Sequence, residues 1–115
     1  MKYKGKEISE DDAVECVNHI SSMFLDMTDP TEKVCLTAVS LNGCLIKHIE
    51  NPTEEMKLIA VKQDRFAIHY IENPSEEIQL EAYTADRDSY QYIENPCPKV
   101  KQLHEEYLLI EELKK

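Results

Sequence analysis

Only two glycines, Gly5 and Gly43, occur among the 115 residues, and there is no tryptophan. So little glycine speaks against a hairpin-rich β fold, whose tight turns need residues at positive φ, and leaves no Gly-rich loop to cradle a phosphate. The four cysteines, Cys16, Cys35, Cys44 and Cys97, include no Cys-x-x-Cys pair. Reduced, half-buried thiols are therefore expected, and a zinc site drawing on Cys35, Cys44 and His48 lacks the spacing of a finger. No apolar run approaches the ~20 residues that cross a bilayer, and the basic residues 1–8 lack the hydrophobic segment of a secretion signal. The expected location is the cytoplasm, of a cell or of a virus-infected host.

Basic residues are also short: Lys and Arg total 13 against 23 Asp and Glu, a net charge of −10. Direct binding to nucleic acid or to an anionic membrane draws on clusters of cations and is disfavoured here, whereas a basic protein partner suits the charge. What the chain has in quantity is apolar residues, 42%, and charged ones, 31%. That is the profile of a soluble, mostly helical protein, and its length suits one domain over residues 1–115.

Proline is placed with a rule. Pro30, Pro52, Pro74 and Pro96 stand 22 residues apart, the last three closing the tetrapeptide Ile-Glu-Asn-Pro at Ile49, Ile71 and Ile93. Cutting after each gives blocks at 9–30, 31–52, 53–74 and 75–96 without insertions, and the second and third share ten of 22 residues. A basic leader (1–8) precedes them and a divergent tail (97–115) follows. An ungapped internal repeat of this period is the signature of a stacked array.

Each block opens like a helix. Ser9, Thr31, Thr53 and Ser75 are N-cap residues by type, and Glu10, Glu32, Glu54 and Glu76 follow at the positive end of the helix dipole. A break is expected near Asn42-Gly43, Asp64-Arg65 and Asp86-Arg87. Beyond it a shorter second helix ends at Ile, with Asn in the left-handed conformation and Pro blocking extension. The small Ala38, Ala60 and Ala82 recur at one place, where neighbouring helices approach closely. In the tail, Val100, Leu103, Tyr107 and Ile110 recur at three- and four-residue steps. They predict one amphipathic helix capping the array, with Glu105, Glu106, Glu111 and Glu112 on its polar outer face. The fold expected is all-α: an α-solenoid-like array of four 22-residue helix-turn-helix repeats closed by a C-terminal helix.

The pattern of a Thr-Glu or Ser-Glu start, Leu-x-Ala-Val in the first helix and Ile or Val before Asn-Pro resembles a family of short helical repeats. That family, of unknown function, is found in large DNA viruses, phages and bacteria. The resemblance covers residues 9–96 and implies a helical array and a viral or phage source, with no catalytic residues to carry over. The fourth block departs from it, since "TADRDSYQ" replaces apolar places by polar ones.

No nucleophile elbow, His-Glu-x-x-His or pair of spaced carboxylates suggests catalysis or a cofactor. Charge is unevenly spread: the four blocks carry −6, 0, −1 and −5. Two acidic patches result, Glu10, Asp11, Asp12 and Glu15 in the first block, and Glu76, Glu77, Glu81, Asp86 and Asp88 in the fourth. A second feature is the column His48, Tyr70 and Tyr92 at one repeat place, two residues before Glu50, Glu72 and Glu94. Tyrosine suits an interface or the packing between units equally. The function expected is a non-enzymatic module binding a basic protein surface or peptide through these aromatic and acidic rows. The alternative is a phage or viral inhibitor that mimics nucleic-acid charge in the basic groove of a host enzyme. Self-association through exposed end faces is a further expectation.

Overall fold

A computed structural model describes residues 1–115. Five α-helices carry the chain: α1 (Glu10–His19), α2 (Glu32–Leu41), α3 (Glu54–Gln63), α4 (Glu76–Ala85) and α5 (Pro98–Leu113). Their first residues are 22 apart throughout, and the cause lies in the caps. The hydroxyls of Ser9, Thr31, Thr53 and Ser75 accept from the backbone N–H of Asp12, Val34, Met56 and Ile78 at 3.1–3.4 Å. Each bond satisfies one of the donors a helix start leaves free, and replacing such a cap typically costs about 1 kcal/mol. Cys97 caps α5 without a side-chain bond. Instead Pro98 takes the first turn, and the Cys97 N–H donates to Gln79 Oε1 of α4 at 2.7 Å.

The shorter second helices are 3-10: Ser21–Asp26, Gly43–His48, Ala67–Tyr70 and Arg87–Tyr92. Their entry is an Asx turn. Asn42, Asp64 and Asp86 end the preceding α-helix in extended conformation, and each side chain accepts from the N–H two residues on, at 2.9–3.1 Å. Ile20 holds this place in the first block and makes no such bond. Exit follows the expected logic with one shift of position. Ile49, Ile71 and Ile93 lie beyond the 3-10 helix as its extended C-cap. Asp29, Asn51 and Asn73 then adopt φ of 52°, 53° and 47°, while Asn95 does not.

Each α-helix packs on the next in sequence, and the 3-10 helices line up beside them. The molecule measures 59 × 25 × 16 Å with a radius of gyration of 16.7 Å, against about 13 Å for a compact chain of this length. The core runs along that length and reuses places in the blocks. Ala38, Ala60 and Ala82 are buried, as are Val34, Met56, Ile78 and Val100, and Val17, Val39, Val61 and Tyr83. The polar fourth block keeps this packing. Ser89 is fully buried where Leu45 and Ala67 stand, and its Oγ has no hydrogen-bond partner. A buried hydroxyl left unpaired is destabilising, so Ser89→Ala is expected to raise the unfolding free energy by about 1 kcal/mol. Urea unfolding followed by circular dichroism measures it, and a destabilised variant would contradict the expectation.

The chain departs from an all-helical fold at one end. The leader forms the strands β1 (Lys2–Tyr3) and β2 (Lys6–Glu7), turned by Lys4 and Gly5 at φ 51° and 82°. On its other edge β1 pairs antiparallel with β3 (Met27–Thr28), giving the order β2-β1-β3.

At the other end α5 corrects the expected cap. The face it turns to α4 is Val100, His104, Tyr107 and Glu111. Of the expected stripe Val100 alone is buried, Tyr107 is half-buried, and Leu103 and Ile110 are exposed together with Leu108, Leu109 and Leu113. Three- and four-residue steps started from Val100 fit either set, and the aromatic seam decides between them. His104 stacks on Tyr90 at 3.8 Å between centroids, its Nδ1 lies 3.3 Å from the Tyr83 hydroxyl, and Arg87 covers Tyr107 at 4.2 Å. Burial pushes the Tyr83 phenol up from its ordinary pKa. Of the acids assigned to the outer face, Glu105, Glu106 and Glu112 are exposed and Glu111 is half-covered.

Candidate functional site

His48, Tyr70 and Tyr92 are the last residues of three 3-10 helices, so the same local geometry places all three. Their environments differ. His48 is exposed and Tyr70 is 41% exposed, whereas Tyr92 is half-buried with its ring 4.9 Å from that of Phe66. Lys47, one block before Tyr70, holds its ammonium over the Tyr70 ring at 5.1 Å, so this ring already takes a cation.

Glu50, Glu72 and Glu94 are exposed, and none joins an ion pair. Two open clefts lie between successive Ile-Glu-Asn-Pro segments. The larger, about 880 Å³, brings Tyr70, Glu72, Tyr92 and Glu94 together with Gln79 and Gln91. The smaller, about 570 Å³, shares Tyr70, Ile71, Glu72 and Asn73 and adds Lys47 and Lys57. Four of the six expected partner-binding residues thus meet in one groove, while His48 and Glu50 line neither cleft. Lys47, Lys57, Phe66 and Gln91 belong to no motif or column of the sequence. Of these, Lys47 alone carries a signal by repeat place, because it directly precedes the column.

The acidic patches fare differently. Glu10, Asp11, Asp12 and Glu15 are exposed around the first turns of α1 and form no ion pair. Glu76 and Glu77 likewise open α4 unpaired. The rest of the second patch is paired from the preceding block, two cations against three acids: Lys62 lies 3.5 Å from Glu81, and Arg65 reaches Asp86 at 3.3 Å and Asp88 at 3.0 Å. Pairs this exposed contribute about 0–1 kcal/mol each, and they offset two of the three negative charges this part of the patch offers to a partner.

No three His, Cys, Asp or Glu side chains converge as a metal site would need. Cys35 instead points its thiol at the Pro30 carbonyl, at 4.0 Å. Burial, then Glu32, raises its pKa above the ordinary 9.0; burial, then Asp64, does the same for Cys44. Both shifts favour the protonated thiol over the nucleophilic thiolate.

Set against known protein families, curated proteins and solved structures, the chain matches none. No helix is long and apolar enough to cross a membrane.

Proposed function

We propose that the four blocks form an α-solenoid-like array closed by α5, and that the array is a non-enzymatic module binding a basic protein surface or peptide. The equal 22-residue step of the helices, contacts between chain neighbours and the elongated shape support the first part. The second rests on one observation: a single open cleft gathers two tyrosines with two unpaired glutamates, on a chain of net charge −10. Aromatic anchors supply most of the affinity of such a surface, and its charge speeds encounter with a basic partner.

The test is affinity capture from the native cell by the wild type and by the triple variant Tyr70→Ala, Glu72→Gln, Glu94→Gln. All three residues are exposed, so the changes are expected to alter stability by under about 0.5 kcal/mol each. A basic protein retained by the wild type at low salt and lost by the variant is the expected result. Equal capture by both removes the groove from the binding surface.

A further inference from the structure

The chain docks an extended segment on itself at one place, and that place recurs. Met27-Thr28-Asp29-Pro30 is the first block's version of Ile-Glu-Asn-Pro, and β1 of the leader adds to it as a strand. Met27 has φ −91° and ψ 141°; Ile71 and Ile93, at its place in later blocks, have −103°, 117° and −88°, 113°. The backbone is therefore extended at every copy, yet β3 is the only copy that is paired. Beyond the isoleucines, the N–H groups of Glu72 and Glu94 find no acceptor within the chain. Free donors beside extended backbone are what an edge strand presents to an incoming one.

The register supplies the chemistry of the incoming strand. Lys2 stands across from Thr28 and Tyr3 across from Met27. In the later blocks the place of Thr28 belongs to Glu72 and Glu94, so a strand in the same register sets a cation opposite a carboxylate and an aromatic or aliphatic residue opposite isoleucine. Open space for such a strand lies beside these segments. The cleft of about 880 Å³ lies between the third and fourth copies, with Tyr70 and Tyr92 on its walls.

We propose that the segments Ile71-Glu72 and Ile93-Glu94 capture an extended basic segment of a partner by strand addition, with Lys or Arg opposite glutamate, as Lys2-Tyr3 adds to Met27-Thr28. This rests on the basic-partner reading and narrows it to a backbone-mediated mode.

Fluorescence anisotropy with labelled acetyl-Val-Lys-Tyr-Lys-Val-amide tests it at low salt. Three comparisons are made: the same peptide N-methylated at the Lys and Tyr amides, a peptide with Glu for both Lys, and the protein variant Glu72→Lys with Glu94→Lys. N-methylation and charge reversal are each expected to weaken binding at least about fivefold, and the lysine variant is expected to prefer the glutamate peptide. Equal affinity for the N-methylated peptide overturns strand addition while leaving a basic partner in place. Failure of every peptide to bind at millimolar concentration overturns the proposal, and the basic-partner reading is then judged by the capture experiment alone.

Discussion

Ile78→Ala is expected to lower the unfolding free energy by about 4 kcal/mol. Ile78 is 1% exposed in α4, the helix that packs on both α3 and α5, and Ser75 caps its N–H at 3.2 Å. Truncation removes three carbons from a site where neighbouring helices, held by their own caps, have little room to close. For 115 residues a total stability of about 6–17 kcal/mol is typical, so the loss is a quarter of it or more. The repeat provides internal controls. Val34 and Val100 occupy the same place and lose fewer carbons, so their alanine variants are expected to cost about 2 kcal/mol each. Asp12, at that place in the first block, is exposed, and Asp12→Ala is expected to stay within about 0.5 kcal/mol. Urea unfolding read by circular dichroism measures all four, with the midpoint moving at constant slope. A loss below 1 kcal/mol for Ile78→Ala would mean that the helices collapse into the cavity.

The same place shows why so much of the fold was legible. An apolar residue recurring every 22 positions beneath a Ser or Thr cap fixes where each α-helix starts and which side is covered; local hydrogen bonds and a buried column both follow from that spacing. Asp12 fits too, since α1 packs on α2 and its own 3-10 helix and this side of it is exposed. What escaped the reading depends on partners far along the chain. Arg65 bridges Asp86 and Asp88 from one block away and offsets one of their two charges, which a count by block assigns wholly to acid. The leader has too few residues to show strand alternation, and its pairing partner is Met27-Thr28. In α5, steps of three and four residues fit two faces, and only the stacking of His104 on Tyr90 selects one. Of the site, the rows were visible as repeat places. That Tyr70 stands out while Tyr92 leans on Phe66 was not, because the difference lies in a single ring one block away.

Gly43→Ala is expected to cost about 3 kcal/mol, and for a reason the sequence obscures. Asn-Gly at a break suggests a turn that needs positive φ, yet Gly5 is the glycine that has it, and Gly43 does not. Where backbone conformation permits alanine, the replacement ordinarily stabilises by about 0.4–1 kcal/mol. Space reverses the sign here. A Cβ on Gly43 would fall on the carbonyl oxygen of Ala60 and lie 3.2 Å from both the Ala60 carbonyl carbon and Asp64 Cβ. These are backbone and near-backbone atoms of α3 and its cap, with no rotamer to retreat into, and the Ala60 carbonyl is engaged by the Asp64 N–H at 3.0 Å. Relief means moving the turn away from α3, which breaks the Gln63 clamp across the same seam: Gly43 N–H donates to Gln63 Oε1 at 2.7 Å, and Gln63 Nε2 donates to the Leu41 carbonyl at 3.0 Å. Ser21, Arg65 and Arg87, at this place in the other blocks, carry side chains and lie outside the buried core, so the demand for glycine belongs to the second seam alone. Gln63→Ala by itself is expected to cost about 1 kcal/mol. Combined with Gly43→Ala it should cost less than the sum, since the first change has already opened the clamp. A Gly43→Ala protein with an unshifted urea midpoint would show that α2 and α3 have room between them, and the close approach assigned to this seam would be wrong.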